Sequence, residues 1–243
     1  MSATDVRQAR LRARHALDRA GTLAFKPVSS AKWVDVENLR SGAIRVRIEH
    51  DTIRGVTPEM MRWWFENLAS STTWNGIDFT GPEISHYHLW HHRDHIAVTP
   101  LTEGDGGRIN NGFTLGATSR IDEQFNDHHE RIHATVVTTR LDDEEFTFEI
   151  RRFGQTAGHI VHRYRPEQDG LAFYAETVIG FGTGLRRLGN AIRPLVYSTR
   201  TAENWIRHNI EETGRSEDVI PPLHRRAMAE RTAALPSERP SLP

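Results

Sequence analysis

Between residues 132 and 179 the chain reads as four strand-length runs joined by links too short to cross over. They are 132–140 (IHATVVTTR), 145–153 (EFTFEIRRF), 157–165 (AGHIVHRYR) and 171–179 (LAFYAETVI). LDDEE at 141–145 and PEQDG at 166–170 are turn-like. Parallel neighbours need a crossover of about a dozen residues or more, so these strands must pair antiparallel. Phe146, Phe148 and Ile150 share one face of their strand, which gives the sheet an apolar side. Further strand-like runs fall at 42–49 (GAIRVRIE) and 84–91 (ISHYHLWH). Thr57-Pro58-Glu59 opens a helix, with Thr57 as N-cap, Pro58 at N1 and Glu59 complementing the dipole.

From about Gly184 to Thr213 the pattern turns helical. TAENWIRHNIEET is built of good helix formers and ends before Gly214, a suitable C′ residue. Pro194 marks a kink or an N-terminal boundary. Residues 4–20 read as a short amphipathic helix. The stretch after Gly214, with Pro221-Pro222 and a PSERPSLP end, reads as irregular. The order predicts an α+β fold in which a curved antiparallel sheet wraps a long C-terminal helix and leaves a cavity between them. The expected division is a helical extension over 1–30, the sheet-and-helix domain over 31–215, and an irregular tail over 216–243.

Composition narrows the chemistry. The 31 basic and 32 acidic side chains nearly cancel, which gives no general pull toward nucleic acid or anionic membrane. No apolar run approaches the roughly 18–20 residues a membrane helix needs. The first twenty residues lack the apolar core of a secretory signal, so a cytoplasmic location is expected. There are no cysteines, so disulfides, thiolate metal sites and thiol nucleophiles are excluded. Any metal must be held by His, Asp, Glu or water.

Histidine is the anomaly: there are 14, and five lie between His86 and His95. On an alternating strand His86, His88, Trp90 and His92 would share one side, with Tyr87, Leu89 and His91 on the other. His208 and Glu212 stand four apart on the expected helix, so an imidazole nitrogen and a carboxylate oxygen can converge on one ion. Trp205 lies on the same stripe and points it inward. An inward Glu is costly unless a cation or a proton accompanies it. Glu123 sits between apolar Ile121 and Phe125, with Asp122 as its register-shifted competitor. His159, His162, Tyr174 and Glu176 lie on two runs joined by PEQDG, where a hairpin would bring them near one another.

EMMRWWFENL, then YHLWHHRDH, then an isolated Glu, then HNIEE on a C-terminal helix, together resemble the diacetylphloroglucinol hydrolase family. The likeness runs from about Pro58 to Glu212. It implies a helix-grip (Bet v 1/START-like) fold and a zinc-dependent hydrolase acting on carbon–carbon bonds in ketonic substances. The implied substrate is a small aromatic or polyketide-like molecule, an acylphloroglucinol-like phenolic or a β-diketone; a homodimer fits the family. By the same resemblance the metal ligands are His95, Glu123, His208 and Glu212, and the substrate-contacting residues are Tyr87, His159 and Tyr174. Here His92 stands where the family often has Pro, and His91 is a rival ligand for His95. Two imidazoles and two carboxylates neutralise a dication and suit zinc, with iron or manganese also compatible. The competing expectations are a non-catalytic binder of small hydrophobic ligands with the same fold, and a non-haem metal oxygenase.

Overall fold

In a computed structural model the chain is described for residues 19–126, 128–181, 189–191 and 197–234. Most of the helix expected over 4–20, and Pro194, lie outside those residues.

The long strands follow the apolar alternation. They are β2 (Ile44–Glu49), β7 (Thr118–Phe125), β8 (Glu130–Leu141), β9 (Glu145–Arg152), β10 (Gln155–Glu167) and β11 (Gly170–Ile179). Edge strands β1 (Trp33–Asn38) and β6 (His95–Pro100) and a short β3 (Ile53–Arg54) complete a nine-stranded sheet in the order β1-β2-β11-β10-β9-β8-β7-β6, with β3 on β11. Every pairing is antiparallel. The β9–β10 hairpin turns through Phe153 and Gly154, both at positive φ, a two-residue turn whose twist matches the flanking strands.

Between β3 and β6 the chain leaves the sheet. Helix α1 (Pro58–Glu66) starts as expected, with the Thr57 hydroxyl accepting from the Met60 N–H. It buries Met61, Trp64 and Phe65. A small hairpin, β4 (Ser71–Thr73) with β5 (Glu83–Ser85), leads into α2 (His86–Trp90). The expected strand over 84–91 is thus corrected to one strand end and a short helix. Ser85 is the cause: its hydroxyl accepts the His88 N–H and sets the first turn. Tyr87 and Trp90 therefore face the interior together, three residues apart rather than on opposite faces.

The last helix, α3, runs from Thr199 to Ala233. The irregular tail expected from 216 is corrected up to that residue; 235–243 lie outside the described residues. Gly214 is not a cap but a helical position where a Cβ would come within 2.6 Å of Lys26 Cγ, so its missing side chain admits the N-terminal segment. Pro221 and Pro222 sit inside the helix and remove two N–H donors. Burial of Val219, Ile220, Pro221 and Leu223 offsets that loss. Strand β2 pairs with the last strand, β11, and α3 packs against β2 and β3 on one side of the sheet and β7 on the other, so the sheet curls around it. This is the helix-grip architecture.

Candidate functional site

A cavity of about 500 Å³ separates α3 from the concave sheet face. Phe65, Phe113, Phe146, Phe148 and Ile160 form its apolar wall, and Trp205, His208, Asn209 and Glu212 of α3 form the opposite side. One region of this lining is strongly polar.

Four of the sequence-derived residues meet there. His95 opens β6 and is the register partner of Glu123 on β7, so antiparallel pairing itself sets the two opposite each other. His208 and Glu212 come from one face of α3, four residues apart. His95 Nε2 lies 3.2 Å from Glu212 Oε2 and 4.0 Å from Glu123 Oε1. His208 Nε2 lies 3.7 Å from the same Glu212 oxygen. Ligand atoms of His95, His208 and Glu212 all fall within 4.8 Å of one another, and all three residues are buried.

The far end of each side chain is tethered. His95 Nδ1 donates to the Tyr87 carbonyl at 2.7 Å, which leaves Nε2 as a bare lone pair. Nε2 is buried and has no hydrogen-bond partner among the described residues. His208 Nδ1 pairs with Asp94 Oδ2 at 3.1 Å. Glu212 Oε1 accepts from Asn209 Nδ2 at 2.7 Å, and Asn209 Oδ1 accepts from His50 at 3.1 Å. The Tyr87 hydroxyl donates to Glu123, and its ring stacks on His95 at 3.6 Å.

The rivals have partners of their own, although ligand atoms of His91, Asp94 and His208 also fall within 4.8 Å of one another in a second buried cluster that shares His208. His91 Nδ1 accepts the Asp94 N–H at 3.1 Å, which leaves its Nε2–H to donate to Glu211 at 3.0 Å, so both nitrogens are used. Asp122 pairs with His133 at 2.5 Å and Arg120 at 3.0 Å.

Electrostatics follow from burial. Without a cation, burial pulls His208 down, but Glu212, Asp94 and Glu123 more than compensate and raise it to about 9. Burial pushes Glu212 up to about 7, with His208 and Asn209 opposing. Burial and the neighbouring His208 hold His95 down to about 3. Burial, and then Glu123, push the Tyr87 phenol well above its ordinary value, so it keeps its proton. An unpartnered lone pair beside two acidic side chains is unfavourable unless a proton or a cation lies between them; without a cation, the protons held on His208 and Glu212 fill that role. A divalent ion with imidazole and carboxylate preferences fits this donor set.

His159 and Tyr174 are not in the cavity. The hairpin pairing forms, but on the outer face: the Tyr174 hydroxyl donates to Glu176 at 2.9 Å, and His159 lies 3.9 Å from Glu176. Strand parity is the reason. On β10 it is Ile160 and His162 that line the cavity, and on β11 Thr177 and Ile179. His162 pairs with Phe146 across β9 and β10, and Phe146 already marked the inward face in the sequence. Its Nδ1 is buried and has no partner among the described residues. Asp94 and Asn209 were also missed: the partner of Asp94 is 114 residues away, and Asn209 joins Glu212 on its own helix to His50, 159 residues away.

No family model matches the chain, and no curated relative does either. Several solved structures resemble it. A protein of unknown function from Staphylococcus aureus is 12% identical over 76% of this chain and 96% of its own, with a TM-score of 0.42. The di-domain ARO/CYC protein BexL of the BE-7585A biosynthetic pathway is 13% identical over 74% of this chain and 50% of its own, with a TM-score of 0.44. Human STARD10 is 8% identical over 97% and 90%, with a TM-score of 0.32. These are likenesses of fold at low identity.

Proposed function

We propose that the protein is a metal-dependent hydrolase that cleaves a carbon–carbon bond of an acylated phenolic or β-diketone held in the cavity. The observation that carries this reading is the buried, unpartnered Nε2 of His95 beside His208, Glu212 and Glu123, at the polar part of an otherwise apolar pocket. His95, His208, Glu212 and Glu123 would hold the ion, with zinc as the first choice. When bound, such an ion supplies Lewis acidity toward a carbonyl or a water.

The chain's own residues do the rest. The apolar wall takes the ring and acyl chain and excludes bulk water, which strengthens every polar contact inside. Tyr87 holds a proton at its hydroxyl, next to the reacting region. His162 offers Nδ1 from the opposite wall to an oxygen of the substrate. Overall, water adds across the bond: hydroxide goes to the acyl carbon and a proton to the ring carbon. Ring oxygens make the carbon leaving group tolerable by delocalising its charge, which is why acylated phenols suit the reaction.

A ligand-binding protein without a metal would also use the apolar cavity. It would gain nothing from burying a cluster of two imidazoles and two acidic side chains, an arrangement that costs stability unless protons or a cation offset the charges. Assaying an acylphloroglucinol for release of its carboxylic acid tests the proposal. Turnover should require added zinc and be lost in His208→Ala; turnover that persists in that variant or under chelation overturns it.

A further inference from the structure

The apolar lining of the cavity changes character along the strands. At the start of β9 it is aromatic. The Phe146 ring lies 4.3 Å from Phe65 and 4.7 Å from Phe113, and Phe148 lies parallel to Phe113 at 5.8 Å. All four rings are buried. Further along the same sheet the lining is aliphatic: Ile132 and Ala134 of β8, Ile150 of β9, Ile160 of β10 and Ile179 of β11. Parity puts them on the inward face with Phe146 and Phe148: Ile150 follows Phe148 by two, and Ile160 is the register partner of Phe148. These five pack against the core yet are only half-buried. Gly158, the register partner of both Ile150 and Ile179, adds no side chain between them. Neighbouring strands lie about 4.8 Å apart, so the row spans roughly 14 Å from β8 to β11, room for a chain of roughly six carbons or more.

Both regions adjoin the polar cluster. Ile132 is the register partner of Glu123, so the aliphatic row begins beside that carboxylate. Trp90 leads the other way, with its ring 5.6 Å from His95 and 6.1 Å from Phe65. A volume of about 500 Å³ lies in the range that encloses a drug-sized molecule, more than one phenolic ring with a two-carbon acyl group fills.

We infer that the cavity selects a phenolic ring carrying a long aliphatic or acyl chain, with the ring among Phe65, Phe113 and Phe146 and the chain along Ile132, Ala134 and Ile150. Ala134 is the specificity-determining position, because its small side chain keeps the row open next to Ile132. This deepens the proposed function by naming the substrate class, and it rests on that reading only in taking this cavity as the substrate site.

The test is equilibrium binding of 4-ethylresorcinol and 4-hexylresorcinol by titration calorimetry. The two share a phenolic ring, differ by four methylenes and have no carbonyl to hydrolyse. A fully buried methylene is worth about fourfold in affinity and a half-exposed one about twofold, so the hexyl compound should bind roughly fifteenfold more tightly. In Ala134→Phe, which fills the row, that advantage should fall below about threefold while the ethyl compound keeps its affinity within about twofold. Ala134→Leu, a smaller addition, should give an intermediate advantage and carries the same comparison if the Phe variant does not fold. An advantage below about threefold in the unaltered protein overturns the inference. So does an advantage that survives both variants, or a loss that the two compounds share equally. Each of these leaves the hydrolase reading standing for short-chain substrates, and a failure of that reading leaves the binding comparison unchanged, because neither compound is turned over.

Discussion

Asp94 Oδ2 lies 3.1 Å from His208 Nδ1, and both residues are buried. The contact fixes the His208 ring with Nε2 turned to Glu212 and makes that nitrogen a better donor to a cation. Outer partners of this kind are worth roughly 10–100-fold in metal affinity. Asp94→Asn keeps an acceptor but loses the charge, so zinc affinity should fall roughly tenfold. Competition titration against a chelating dye measures it. Unchanged affinity would show that the contact serves packing alone.

Tyr87 divides its roles between backbone and side chain. Its carbonyl orients His95, and its hydroxyl donates to Glu123. Tyr87→Phe keeps the first and deletes the second. Metal content should be retained while kcat for an acylphloroglucinol falls roughly a hundredfold, the scale of a lost proton donor. His159→Ala and Tyr174→Phe, both on the outer face, should leave kcat unchanged. Steady-state kinetics on the three variants decides; the reverse ranking would restore the outer pair.

Acid should destabilise the protein through its buried neutral histidines. Burial lowers His162 to about 3 from an ordinary 6.5. Between those values the unfolded chain binds the extra proton and the folded one does not. Stability is therefore fully present above about pH 6.5 and drains as pH falls toward 3, by at most about 1.4 kcal/mol per pH unit for this group. Glu212, raised to about 7, acts with the opposite sign between its ordinary 4.5 and 7, where the folded state holds the proton. Comparing metal-free unaltered protein with His162→Phe removes that complication, because Glu212 titrates in both. Urea unfolding at pH 7 and pH 5 should show a smaller acid loss in His162→Phe. Identical losses would mean that His162 is not held neutral.

The far end of α3 belongs to the core. Leu223 is 4% exposed. Leu223→Ala should cost about 2–3 kcal/mol in urea unfolding, at the lower end for buried leucines. An irregular segment at this position would give no measurable change.

Much of this architecture was legible because it is local or periodic. The β8–β11 meander follows from alternation and short turns, and the start of α1 from Thr57-Pro58. The His208/Glu212 pair follows from helical spacing, with Trp205 fixing the inward face. What failed was parity and context. His159 and Tyr174 were placed by the family resemblance, which their nearness in a hairpin fitted, whereas the Phe146 face, carried across the register to His162, would have chosen the inward side. Pro221-Pro222 read as a stop, but the burial of Ile220 and Leu223 carries the helix through them. Ser85 turned an alternating His-rich run into a helix. Asp94 and His50 are brought to the site only by tertiary structure, so no spacing rule could have found them; Asn209, three residues before Glu212 on one helix, was within reach of the helical rule.

The central claim is that His95, Glu123, His208 and Glu212 hold one divalent ion, and metal stoichiometry by elemental analysis tests it most directly. The purified protein, saturated with zinc and then desalted, should retain one equivalent. His208→Ala and Glu212→Gln should retain none, and His159→Ala should still hold one. No bound zinc in the unaltered protein, or a full equivalent in the His208→Ala variant, would contradict it.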